Sequence, residues 1–209
     1  FQAEQSFGYY VGYNSDGKFD MTMYFDGYTD LCASNTQIND GNWHYVTGTY
    51  DGSDMRIYVD GVLENTCAAG VLVSQDQASP ITIGAYRPGA SNYQTDGSVD
   101  ELSVWGVALE QDQIQEMMYT DSTWQDDNLV AHYKFNANDG IVLFDHSGNS
   151  NHGTINGATW NGDVPPSPGE NNSLSFDGVN DHVDIGDIGD FFPVTYELWF
   201  KPAQDIQGS

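Results

Sequence analysis

The chain has 209 residues, and its 31 Asp and Glu stand against only 5 Lys and Arg, a formal net charge of −26. Such a balance excludes nucleic acid as a partner, because neutralising phosphates requires clustered cations; it fits a saline medium, calcium or simple solubility instead. Thirteen Tyr, 10 Phe, 5 Trp and 23 Gly suit many short strands and tight turns around one core rather than disorder, and no apolar run nears the roughly 20 residues that cross a bilayer.

Residues 7–13 (FGYYVGY) read as a strand, ended by the turn Asn14-Ser15-Asp16-Gly17. From Lys18 to Gly27, Phe19, Met21, Met23 and Phe25 alternate with Asp20, Thr22, Tyr24 and Asp26, the period of two that marks a half-buried strand. Tyr28 to Asn42 reads as a polar loop. Trp43 to Gly61 is the clearest hairpin. Trp43, Tyr45, Thr47 and Thr49 share one face of its first strand, Asp51-Gly52-Ser53-Asp54 supplies the turn, and Met55, Ile57 and Val59 share one face of the return. The next strand ends near Cys67. Pro80 to Gly84 is a short strand, followed by a long loop from Arg87 to Gly97.

Ser98 to Trp105 is a strand in which simple alternation puts Asp100 on the face of Leu102 and Val104, so its carboxylate is expected to point inward. Glu110 to Tyr119 is the one expected helix. Its Ile114, Met117 and Met118 stand at helical spacing behind an acidic first turn, a packing stripe rather than a ligand surface. Residues 121–128 read as a linker. Leu129 to Phe135 is a strand, Asp145 to Asn151 a tight polar loop, and His152 to Trp160 a strand pair about Gly157. Pro165, Pro166 and Pro168 mark a surface loop. Ser173 to Phe176, His182 to Ile185 and Val194 to Lys201 complete the strands. One helix among so many strands predicts an all-β fold, an antiparallel sandwich.

Cys32 and Cys67 are the only cysteines, too few for a zinc site without supporting His or Cys at short spacing. Two readings stand, a disulfide or two buried thiols. A disulfide would stabilise by roughly 4 kcal/mol in the chain-entropy model, and it implies an oxidising location, secreted or at the cell surface.

Several stretches together resemble a known family. Asp145-His146-Ser147-Gly148-Asn149-Ser150-Asn151-His152-Gly153, then Gly157-Ala158-Thr159-Trp160 and Leu174-Ser175-Phe176-Asp177-Gly178, are similar to the first half of a laminin G-like domain. Trp43-His44-Tyr45-Val46, Tyr58-Val59-Asp60-Gly61 and Val99-Asp100-Glu101-Leu102 with the following helix resemble its second half. The family lies in the concanavalin A-like lectin/glucanase superfamily, whose fold is a jelly-roll sandwich. The order departs from the family: the second-half-like segment is 1–120 and the first-half-like segment 129–209, together about one sandwich. A circular permutant, an excerpt of a tandem array and a half-domain completed by a neighbouring chain would each give this order.

The resemblance implies a structural calcium held by Asp100 and Asp177, with Asn180 and Asp181 as neighbouring oxygen donors. Calcium wants six to eight oxygens. Asp145 and Asn149 suggest a second ion less well than a self-bonded turn. Catalysis is not expected. Glucanases of the superfamily alternate their acids along one strand, whereas adjacent Asp100 and Glu101 should face opposite ways and Glu197 stands alone. The resemblance therefore implies a non-catalytic extracellular lectin-like module for glycan binding or adhesion. Tyr28, Tyr86, Tyr93, Trp124 and Trp160, in or beside loops, are its candidate sugar-facing aromatics. The alternative, drawn from the unusual order, is a structural repeat or self-assembling subunit of a surface adhesin or filament, with copies of itself as partners.

Overall fold

The computed structural model of the chain describes residues 8–25, 28–70, 81–85, 94–120, 126–167, 169, 171–189 and 192–203. In chain order the strands are β1 (Gly8–Tyr13), β2 (Lys18–Phe25), β3 (Tyr28–Gln37), β4 (His44–Tyr50), β5 (Asp54–Val59), β6 (Val62–Ala68), β7 (Ile81–Ile83) and β8 (Asp96–Trp105). Helix α1 (Gln111–Met117) follows. Then come β9 (Leu129–Tyr133), β10 (Val142–Leu143), β11 (Gly153–Asn156), β12 (Thr159–Asn161), β13 (Ser173–Asp177), β14 (His182–Gly186) and β15 (Val194–Pro202).

The strands make three antiparallel sheets. The largest runs β12-β13-β8-β15-β4-β5-β6, with β9 also on β8; the others are β1-β2-β3 and β10-β11-β14-β7. One apolar cluster takes Phe19 and Met21 from β2, Val46 from β4, Val104 from β8, Val183 from β14 and Phe200 from β15. The two smaller sheets therefore stack on one face of the large one, as a β-sandwich. The apolar row of β2 is realised, with Phe19, Met21 and Met23 in the core cluster, but Asp20 and Thr22 on the other row are buried too, so the strand is not half-exposed as expected. The hairpin is realised, and in it the Asp51 carboxylate accepts the amides of Ser53 and Asp54, both at 2.9 Å, and closes the turn between β4 and β5.

β15 lies between β8 and β4 and pairs with both along most of its length. A strand from residues 129–209 is thus hydrogen-bonded on both sides by strands from residues 1–120, and the two segments interleave in one sandwich. Cys32 of β3 is disulfide-bonded to Cys67 of β6 with Cα atoms 5.7 Å apart, tying the edge of the three-stranded sheet to the edge of the large one. Beside it the Glu64 carboxylate accepts the amides of Asn35 and Thr36 at 2.7 and 2.9 Å.

Two expectations are corrected. Residues 28–37 form β3 rather than part of a loop: the inward row at Cys32 and Ser34 holds too few apolar side chains to show a period, while Leu31 on the other row is 55% exposed. The strands about Gly157 are not a pair. β11 joins β10 and β14 whereas β12 joins β13, so the turn at Gly157, with φ 85°, carries the chain from one layer to the other.

Candidate functional site: two ends of one sheet face

The face of the large sheet turned away from the sandwich core carries the polar chemistry. Register places His132 of β9 opposite Ser103 of β8, Ser103 opposite Glu197 of β15, and Glu197 opposite Thr47 of β4. Directly opposed residues share a face, so these four side chains form one row across the sheet.

A bulge interrupts the neighbouring row. Glu197 pairs with Ser103, but Trp199 pairs with Asp100, so β8 spends one residue more than β15 over this step. Glu101, at φ 45°, absorbs it. Asp100 is fully buried, yet it lies opposite Trp199 on the outer face although Leu102 and Val104 pack into the core. That corrects the inward expectation for Asp100, and with it the expectation that Asp100 and Glu101 face opposite ways. Glu101 is swung beside the outer row, where its Oε2 meets His132 Nε2 at 2.8 Å.

One end of this face is covered. Tyr45, Trp105 and Trp199 pack with Ile114 and Met118 at α1 into a second apolar cluster. The helix starts at a capping box in which the Glu110 amide donates to Gln113 Oε1 at 2.9 Å. Glu197 is 1% exposed and its Oε1 accepts the Trp105 indole N–H at 2.8 Å; the Tyr45 hydroxyl faces the same carboxylate. Burial above all, with the Glu101 charge adding to it, pushes the Glu197 carboxyl up to about 7 against the lowering effect of those bonds. A cavity of about 20 Å³ remains, bounded by Tyr45, Glu101, Ser103, His132, Glu197 and Trp199 among others.

The other end is open. Ser98 stands opposite Ser175 on one side and Lys201 on the other, forming the floor of a groove of about 440 Å³ whose walls include Asp96 and Asp163. Lys201 Nζ donates to Asp163 Oδ2 at 2.6 Å and Trp43 Nε1 donates to Asp163 Oδ1 at 3.2 Å. The Lys201 bond leads in holding the Asp163 carboxyl below its ordinary range. Gly97, at φ 146°, packs under the Lys201 carbonyl where a Cβ would not fit. Such a groove offers hydroxyls, a cation and carboxylates to a ligand of small-molecule size.

The four residues expected to hold calcium do not come together. Asp177 stands opposite Asp96 rather than Asp100, and its Oδ1 accepts the amides of Val179 and Asn180 at 2.9 and 3.4 Å. Asp181 Oδ2 accepts the Asp177 amide at 3.1 Å, and burial, joined by the Asp177 charge, raises the Asp181 carboxyl. Asp177, Asn180 and Asp181 thus share one loop while Asp100 lies on the covered face. Among the described residues no group of three or more His, Cys, Asp or Glu side chains could hold a metal ion. At the second place the Asp145 carboxylate accepts the amides of His132, Ser147 and Asn151, and Asn149 Nδ2 donates to the carbonyls of Leu129 and Val130. That is a self-bonded loop.

Of the aromatics expected to face sugar, Trp160 is a loop anchor, its Nε1 donating to the Gly140 carbonyl at 3.1 Å. The Tyr28 side chain and Tyr86, Tyr93 and Trp124 lie outside the described residues. Sequence reasoning missed Lys201, Asp163 and the Glu197–Glu101–His132 group. An acid flanked by Thr195 and Trp199 on a strand this apolar was the one signal for the last.

Residues 1–115 match the laminin G type 3 family model, described as the concanavalin A-like lectin/glucanases superfamily. The chain belongs to that superfamily. No curated protein matches it. Laminin G-like domains are in general lectin-like or adhesion modules that bind carbohydrates or cell-surface partners, and they are typically non-catalytic. In this laminin G-like chain the matched stretch supplies Asp96, Ser98 and Glu101, while Glu197 and Lys201 come from β15, beyond it.

Proposed function

We propose that this laminin G-like chain is a non-catalytic, extracellular glycan-binding or adhesion module whose ligand groove is the open end of the large sheet. The observation that carries the reading is the groove itself, about 440 Å³, with Ser98, Ser175, Lys201 and Asp163 presenting both donors and acceptors to solvent. Ordered polar groups in a concave site fix a ligand's orientation, and the volume suits one or two sugar residues. The Cys32–Cys67 disulfide supports secretion or display at the cell surface. Calcium belongs to this proposal only at the loop of Asp177, Asn180 and Asp181, where two carboxylates repel; Asp100 has no part in it.

Glycan-array binding tests the reading. Wild type binds a defined set of glycans, and Lys201→Ala and Asp163→Ala reduce that binding about tenfold or more, the scale of one lost charge-assisted hydrogen bond. Failure to bind any glycan at high protein concentration overturns the lectin reading. For the ion, chelator lowers the melting temperature of wild type but not of Asp181→Asn; equal melting curves with and without chelator remove calcium.

A further inference from the structure

The covered end of the sheet face has a property that glycan binding leaves unused. We infer that its cavity is a proton site, in which Glu197 and Glu101 share one proton through a single trapped water, and that α1 stays closed over the cavity only while that proton is held. Three buried polar atoms bordering this cavity lack a protein partner among the described residues: Glu101 Oε1, Glu197 Oε2 and Trp199 Nε1. Glu197 and Trp199 are 1% and 2% exposed, so bulk solvent does not satisfy them, and buried polar groups left bare are rare in native folds.

The chemistry of the three atoms selects the guest. Its volume of about 20 Å³ exceeds the roughly 10–15 Å³ that one water needs and is far too small for a sugar ring. An indole N–H needs an acceptor, which no metal ion supplies. A water accepts from Trp199 Nε1 and from protonated Glu197 Oε2, then donates to Glu101 Oε1 and to the Ser103 or Tyr45 oxygen. All four of its bonds are used. The other Glu101 oxygen already faces His132 at 2.8 Å, so Oε1 is the Glu101 oxygen turned to the water.

Deprotonation sends that proton from Glu197 Oε2 through the water to solvent and leaves two carboxylates facing one cavity. The groups around them are Tyr45 on β4, Tyr58 beyond it on β5, Glu101 on β8 and His132 on β9, with the His146 ring 6.5 Å from His132. From the α1 side come Met117 and Thr120, while the helix acids Asp112 and Glu116 are exposed. Among the described residues no Lys or Arg borders the cavity. A second carboxylate charge there meets no bordering ammonium or guanidinium among the described residues, and the closed state is weakened.

Two measurements on the whole chain test this. Infrared spectra of wild type minus Glu197→Gln, a subtraction that cancels the Asp20 carboxyl also raised by burial to about 6, show a protonated carboxylic acid below pH 7 that is lost on alkaline titration. Hydrogen exchange of the α1 amides, corrected for the intrinsic rate, gains about tenfold or more between pH 4.5 and 7, the window set by a carboxyl shifted from 4.5 to about 7. In Glu197→Gln the gain is under about threefold, and Glu101→Gln loses the infrared signal at lower pH than wild type, as expected when a like charge that raises Glu197 is removed. A wild type minus Glu197→Gln spectrum without a protonated carboxyl at pH 6, or a Glu197→Gln variant whose helix loosens as wild type does, overturns the inference. Neither readout involves sugar, so glycan binding can fail while this stands.

Discussion

The covered and open ends of the outer face are built on the same two strands, β8 and β15, yet hold their acids in opposite states. At the covered end α1 lays Ile114 and Met118 over Tyr45, Trp105 and Trp199, and burial turns Glu197 into a group that keeps its proton near neutrality. At the open end Asp163 is exposed, paired with Lys201 and held below its ordinary range. Residue type does not separate the two. The difference is a short helix that removes water from one end and leaves it at the other. A face of this kind serves structure where it is dry and recognition where it is wet.

The largest effect that sharpens this contrast is at Trp105, which is 2% exposed and donates to Glu197. Trp105→Ala should lower unfolding stability by about 3–5 kcal/mol, combining a large cavity with a buried acid stripped of its donor. Urea denaturation midpoints at pH 6 measure it. A loss near zero would show that the covered end is not a packed unit and would erase the distinction between the two ends.

The next effect is a pH dependence with a definite sign. The Glu197 carboxyl is raised in the folded chain from 4.5 to about 7, so the native state binds more protons than the unfolded state between those values. Its contribution is fully present below about pH 4.5, falls as pH rises and is lost above about pH 7. The stability of wild type minus that of Glu197→Gln should therefore drop by roughly 3 kcal/mol across that interval. The difference is needed because Asp20, raised by burial to about 6, also loses its contribution as pH rises through that interval. A flat difference, or one that rises with pH, would mean that Glu197 is ionised at the covered end as Asp163 is at the open one.

Much of the scaffold was legible because burial on one face imposes a period. Phe19, Met21 and Met23 announce β2, and Met55, Ile57 and Val59 announce β5. β3 was not legible, since an edge strand with Cys32 and Ser34 inward looks polar. The site was legible only in fragments. Parity arguments assume an unbroken ladder, and one residue at φ 45° moved Glu101 to the face of Glu197 and put Asp100 opposite Trp199. Antiparallel pairing then joined Glu101 and His132, 31 positions apart, to Glu197 from the far end of the chain. No local pattern encodes such a meeting. The disulfide was open from sequence because nothing local to either cysteine says whether the two meet; the stacked sheet edges bring their Cα atoms to 5.7 Å.

The smallest expected effect is the complement of the first. Lys201→Ala removes the ion pair to Asp163 at the open end, where both side chains are part-exposed at 29% and 48%. Solvent screens such a pair, and the side chains lose freedom to hold it, so stability should fall by less than about 1 kcal/mol and the loss should shrink further as salt rises toward 1 M. Lys201 also stands opposite Ser98 in the ladder between β15 and β8, but those backbone bonds survive the substitution. The variant should therefore melt close to wild type while losing groove binding, whereas Trp105→Ala should destabilise the fold. If Lys201→Ala instead unfolds as readily as Trp105→Ala, the open end is a structural joint, and the groove loses its claim to be a recognition surface.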